Sequence, residues 1–296
     1  MSKKNKISKY ISIPFLAIII LIIPLSFIKF SANKNLVNVN NTSKTNSKDS
    51  VDNIYMDKGL NNYQNRFENK KLTSENIGVP VLYYHSVETN SDNEVTITPE
   101  ILEKQLNYIN DNGYVTITIK ELYDHLKNNQ LIPEKSIVIT FDDGYMNNYT
   151  EAFPILKKLN MKATIFCVGN SLDGSYYLSK NAIKEMSCYG IDIESHTVNH
   201  MHLDTLSYKN QIEELKKSKE ILENITGKEV LSIAYPFGDY NEDTIKAVKE
   251  AGYKLAFTTN LGLTDRNDNI FELDRIYISS YYDMNTFKNL LENTTK

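Results

Sequence analysis

The sequence predicts an α/β fold, a distorted (β/α) barrel of about seven strands, preceded by an N-terminal transmembrane helix and a flexible linker. Three observations lead there. From residue 79 onward the apolar residues switch repeatedly between a strand-like and a helix-like period. The strand-like runs span 5–7 residues and are separated by helical runs of 10–18, the spacing of parallel βαβ units. Seven or eight such strands fit into roughly 220 residues, which favours a closed barrel over an open sheet.

The first element is the N-terminal run. Lys3, Lys4, Lys6 and Lys9 precede Ile11–Ile28, 18 residues without a charge. That is long enough to span a bilayer, and the basic flank places residues 1–9 inside the cell and the remainder outside. A cleaved secretion signal is the alternative, with a secreted product, but a cut after Ala32 would put Phe30 at −3, where a small residue is wanted. Residues 31–76 are rich in Asn, Ser, Thr and Lys, too poor in apolar clusters to offset the entropy of ordering, and read as a disordered linker. The expected organisation is therefore 1–30 membrane anchor or signal, 31–76 linker and 77–296 folded domain, extracellular and tethered to the cell membrane.

Within the body, Val79–Tyr84 is a short apolar strand. Thr98-Pro99-Glu100 opens a helix, with Thr at the N-cap and Pro at the first helical position, and Gly113 closes it. Tyr114–Ile119 reads as a strand, Lys120–Asn129 as a helix and Ser136–Phe141 as a buried strand. Helices follow at 148–159, 179–189, 208–225, 241–251 and 284–292. Strands are expected at 163–168, 191–195, 231–235, 254–259 and 273–279. His125 sits in the polar run LYDHLKNN and is expected at the surface, as is His202.

Charge and cysteine usage remove several function classes. Residues 77–296 carry 21 Lys and Arg against 32 Asp and Glu, so the clustered cations that phosphate contacts require are missing and a nucleic-acid binder is excluded. Two Cys, neither in a CxxC, exclude a disulfide framework and a cysteine zinc site. In an exported protein, free Cys167 and Cys188 should be buried.

Four groups of reactive residues stand at the downstream ends of four strands: His85, Asp142-Asp143, His196 and Pro236-Phe237-Gly238. In a barrel these ends converge on one mouth. In Thr140-Phe141-Asp142-Asp143-Gly144 two carboxylates would repel each other unless a cation neutralises one and leaves the other as a base. Alone, the pair reads as the opening of a turn. His196-Thr197-Val198-Asn199-His200 offers two imidazoles, and a lone HxxxH reads as surface. Together they supply two nitrogens and one oxygen, the ligand set of a catalytic zinc with a position open for water.

These motifs resemble the NodB-type polysaccharide deacetylases, carbohydrate esterase family four, over residues 79–290. TFDDG and SHTVNH look like the first two family motifs and AYPFGDYN like a variant of the third. The resemblance implies that Asp143, His196 and His200 bind a divalent metal, Zn2+ first among candidates, that Asp142 is the general base, and that the backbone of Phe237, after Pro236, helps hold the oxyanion. Two departures stand out. Ala234 occupies the place of a family Arg that holds the base, and no His follows residue 202. Val81-Leu82-Tyr83-Tyr84-His85 instead resembles the subgroup of poly-β-1,6-N-acetylglucosamine deacetylases, in which the acid His lies near the N-terminus. His85 is then the acid, with a structural His capping the strand as the alternative. Arg275 is the substitute holder of Asp142 and Asp274 the group that orients His85, with a surface ion pair as the alternative for those two. Tyr281 and Tyr282, after a strand end, are sugar-stacking candidates, whereas Tyr83 and Tyr84 belong to the core.

The expected activity is metal-dependent removal of N-acetyl groups from an extracellular N-acetylglucosamine polymer, with a polysaccharide synthase as a candidate partner. The alternatives are peptidoglycan as substrate and a non-catalytic polysaccharide-binding domain, which the missing Arg keeps open. An iron(II) oxygenase also uses two His and a carboxylate, but needs neither a second adjacent Asp nor an acid His.

Overall fold

The computed structural model describes residues 66–90 and 92–295. Seven parallel strands close on themselves: β1 (Val81–Tyr84), β2 (Ser136–Phe141), β3 (Thr164–Cys167), β4 (Asp192–Ser195), β5 (Ser232–Ala234), β6 (Leu255–Leu261) and β7 (Leu273–Tyr277). Neighbours in sequence are neighbours in the ring, and β7 returns to β1 through Ile276↔Leu82 and Tyr277↔Tyr83. The remaining seam, β1 to β2, pairs Tyr83 with Thr140 and Tyr84 with Phe141. The expected barrel is present.

Strand pleating sorts the core into two clusters, because successive side chains point to opposite faces. Val81, Val138, Phe166, Ala234, Phe257 and Leu273 belong to the inner cluster. Leu82, Ile139, Ile165, Ile193, Ile233 and Ile276 belong to the one shared with the helices. Those helices are α1 (Pro99–Asp111), α2 (Ile119–Asn128), α3 (Phe153–Lys158), α4 (Lys180–Tyr189), α5 (Tyr208–Thr226), α6 (Glu242–Glu250) and α7 (Met284–Asn293). Thr98 caps α1 by accepting from the Ile101 N–H, and Thr118 forms a reciprocal capping box with Glu121 at the start of α2. That cap shortens the expected strand 114–119 to Val115–Thr116, since residue 118 is already committed to the helix.

Two expectations are corrected and a third is refined. Residues 66–76 are not linker: Phe67 is buried at 3% exposure, Leu72–Thr73 pairs antiparallel with Ile132–Pro133, and Arg66 bonds Glu121 at 2.7 Å. Burying one Phe is worth about 2 kcal/mol, a contribution that composition averaged over a polar segment conceals. The helix expected at 148–159 is present, with a wide turn, π-helical in geometry, over Asn148–Ala152 leading directly into α3, because Pro154 has no N–H to return to the preceding turn. His125 is buried, not superficial, with Nδ1 2.9 Å from the Gln130 carbonyl. It lies on the face of α2 that carries Ile119, Leu122 and Leu126 into the inner cluster.

Among the described residues no helix is long and apolar enough to cross a membrane. The run at 11–28 lies outside the described residues. Cys167 is buried as expected, whereas Cys188 is exposed.

Candidate active site

Asp142 and Asp143 follow directly on β2. Asp143 and Gly144 are both left-handed, with φ of 71° and 72°, and this double turn brings to one site two carboxylates that a regular strand would have sent to opposite faces. Gly144 has a second reason to lack a side chain, since a Cβ there would stand 3.1 Å from the Cys167 sulfur. The Asp143 Oδ1 lies 3.4 Å from His196 Nε2 and 3.2 Å from His200 Nε2.

One ligand atom from each of Asp143, His196 and His200 falls within 4.8 Å of the others. Zinc bonds of about 2.1 Å in a tetrahedron set ligand atoms about 3.4 Å apart, so the donor set fits such an ion. His196 is buried and its Nδ1 lies 2.8 Å from the Ala234 carbonyl. A carbonyl only accepts, so Nδ1 carries the proton and Nε2 faces the ligand cluster with its lone pair when the ring is neutral. Burial alone would lower the His196 pKa; Asp143 and Asp142 outweigh it and raise the value. A divalent ion would therefore compete with a proton for this pocket. The HxxxH segment is a loop, not a helix, with Thr197 and His200 left-handed at φ of 65° and 54°. Such residues cost about 1–3 kcal/mol each.

Arg275 on β7 is fully buried, and its guanidinium donates to both oxygens of Asp142, Nη1 to Oδ1 and Nη2 to Oδ2, each at 2.8 Å. Its Nε donates to the Thr258 carbonyl at 2.9 Å, and the group lies 4.2 Å from the centre of the Tyr83 ring. Burial would raise the Asp142 pKa. The Arg275 charge and hydrogen bonds, with His196 and His85, override that and hold the carboxyl below its ordinary range.

His85 stands just past β1, edge-on to Tyr83 and Tyr277 with centroids 5.9 and 6.1 Å away. Asn148 in the wide turn donates to its backbone carbonyl at 2.7 Å. Burial lowers the imidazole pKa; the charges of Asp142 and Asp143 act against that, and Arg275 and His196 reinforce it. The assignment of Asp274 to His85 is corrected. His85 Nδ1 is buried without a hydrogen-bond partner, while the Asp274 carboxylate lies against Gly262, where any Cβ would collide with its Oδ2. Arg275 turns into the barrel, and the pleat sends its neighbour outward.

Pro236 is buried at the start of the turn Pro236–Gly238 after β5, and Phe237 is left-handed and 53% exposed at the rim. Its ring meets His200 edge-on at 4.5 Å and stacks on His202 at 3.9 Å and 9°. His202 is in turn bonded to Asp239 at 2.6 Å, so this half-exposed His is fixed beside the cluster. Nothing in its local sequence signalled that. Tyr281 is 70% exposed, and the Tyr282 ring lies 6.4 Å from Tyr277, which borders His85. Tyr145, Tyr176 and Tyr177 form a further aromatic wall, with Tyr145 and Tyr177 stacked at 5.5 Å. Burial and the adjacent Asp143 raise the Tyr145 pKa. The Tyr after Asp-Asp-Gly was the available signal for it.

The family model for polysaccharide deacetylases matches residues 111–256. YxkH of Bacillus subtilis, named as a polysaccharide deacetylase, is 39% identical over 201 residues, covering 68% of this chain and 71% of that protein. The chain belongs to the polysaccharide deacetylase family. It is a hydrolase of that family, a polysaccharide N-deacetylase. The poly-β-1,6-N-acetyl-D-glucosamine N-deacetylase of Staphylococcus epidermidis is 28% identical over 248 residues, 74% of this chain and 85% of that one. Among solved structures, the Streptococcus pyogenes deacetylase PplD in complex with acetate superposes with a TM-score of 0.70 at 31% identity. It covers 74% of this chain and 100% of that chain.

Proposed function

We propose that this deacetylase removes acetyl groups from N-acetylglucosamine residues of poly-β-1,6-N-acetylglucosamine, outside the cell and tethered to the membrane by the run at 11–28. The observation that carries the reading is the meeting of His85, Asp142, Asp143, His196 and His200 at one barrel mouth, supported by the relatives named for that polymer. The basic flank and uncharged length of 11–28 support the location.

Asp143, His196 and His200 would hold a divalent ion, most simply Zn2+ given two imidazoles and one carboxylate. When bound, such an ion supplies a Lewis acid for the acetamide carbonyl and a water of lowered pKa. Asp142, kept ionised by Arg275, receives the proton of the attacking water. The Phe237 N–H stands at the rim to stabilise charge on the carbonyl oxygen. His85 gives a proton to the amine as the carbon–nitrogen bond breaks, so acetate and a glucosamine residue leave. Tyr281 and Tyr282 offer ring faces to neighbouring sugars.

The experiment is acetate release from β-1,6-linked and β-1,4-linked N-acetylglucosamine oligomers, with and without chelator. Metal-dependent release favouring the β-1,6 polymer is expected. Preference for the β-1,4 series would move the substrate to peptidoglycan, and no release from either would leave a binding domain.

A further inference from the structure

Behind the loop that carries both imidazoles stands Glu214 of α5, and we infer that it is a positioning residue for the two histidines. The inference rests on the reading of Asp143, His196 and His200 as metal ligands. The Glu214 Oε2 accepts from the backbone N–H of Val198 at 3.1 Å and of Asn199 at 2.9 Å, and Oε1 accepts from the Asn199 side-chain amide at 2.5 Å. These are the residues between the two histidines. One turn further along α5, the Ser218 hydroxyl bonds the Ser195 hydroxyl at 2.8 Å. Positions four apart share a helix face, so consecutive turns of one helix brace the chain on both sides of His196.

The brace has something to resist. Thr197 and His200, flanking the two clamped N–H groups, both hold left-handed backbone, and for a β-branched residue such as Thr197 that conformation is an outlier. It persists only where surroundings over-determine it. Without the carboxylate, two successive N–H groups lose their acceptor, and the loop, held then by the Gly169 and Asn170 N–H groups on the Thr197 and Val198 carbonyls, can relax toward ordinary backbone on its His200 side. That relaxation would carry His200 Nε2 away from Asp143. Glu214 touches neither substrate nor ligand cluster; it acts through the loop.

The test uses full-length protein stripped of metal by chelator, with zinc affinity measured by calorimetry and ligand geometry read from the visible spectrum of the Co2+ form. Glu214→Ala is expected to bind zinc about tenfold to a hundredfold more weakly, with an altered Co2+ spectrum and an unchanged melting temperature of the metal-free protein. Glu214→Gln keeps an oxygen for the two backbone N–H groups and is expected to stay within about threefold of the native affinity. Native affinity in Glu214→Ala would overturn the proposal. An equal loss in the Gln and Ala variants would overturn it too, by assigning the effect to charge. Failure of Glu214→Ala to fold would make the residue a support of the domain rather than of the loop, which likewise overturns the proposal. If His200→Ala binds zinc as the native protein does, the ligand set itself is wrong, a separate failure that takes this proposal with it.

Discussion

Arg275 and Asp142, 133 residues apart in the chain, face each other inside the barrel as a planar pair joined by two hydrogen bonds of 2.8 Å. Both are buried, so neither charge has water to fall back on. Removing one partner of such a pair costs about 3–5 kcal/mol, because the other is left uncompensated. Arg275→Met should therefore lose about that much stability in urea unfolding and nearly all activity. Adding Asp142→Asn should recover part of the stability but none of the turnover. If Arg275→Met deacetylates at the native rate, the pair does not serve catalysis.

Metal removal gives the second expectation. Chelator should abolish acetate release and added Zn2+ restore it. His200→Ala should lose stoichiometric zinc by elemental analysis. Because Asp142 and Asp143 raise the His196 pKa, binding displaces a proton, and zinc affinity should weaken as pH falls. Affinity independent of pH would contradict that competition.

His85→Ala should lower kcat by about 10²–10⁴, the usual range for a lost proton donor, and leave zinc affinity unchanged. Burial holds the His85 pKa below 6.5. The protonated form, the one able to donate, is therefore lost as pH rises through a value below 6.5. Ring-proton NMR of the metal-free protein should show that midpoint; a higher one would mean that the nearby carboxylates outweigh burial.

Asp192, at the start of β4, accepts the Ile119 N–H at 2.8 Å, and burial pushes its pKa up to about 6 from 3.8 despite that bond. A carboxyl with its folded value raised contributes fully below pH 3.8 and loses that contribution as pH rises through 6. Asp192→Asn keeps the acceptor without the charge. It should gain about 1–3 kcal/mol in urea unfolding at about pH 7.5, shrinking toward zero near pH 4. No gain at the higher pH would show that Arg66 and Lys228 neutralise the group.

Much of the site was legible in the chain. TFDDG and HTVNH point to Asp143, His196 and His200, the three side chains the fold brings together, because their chemistry is carried by residue type and short spacing. His85 was found because it ends a recognisable strand. Arg275 and Asp274 show the limit. Both stood beside the same late strand, and only one turned inward, since a pleated strand makes neighbours diverge. The orienting carbonyl of Ala234 had no signal at all, because every residue carries one. Phe67 was lost in a polar stretch whose average hid one anchoring ring.

What the sequence by itself determined was the alternation of strand and helix and the identity of the reactive groups at strand ends, because both are written in local periodicity and residue type. Barrel closure decided the rest. It set the register that brings β7 against β1 and so carries Arg275 to Asp142, it laid α5 behind the histidine loop, and it placed the Ala234 carbonyl on His196. Contacts between distant segments depend on where every intervening strand lands, and packing around the whole ring chooses that landing.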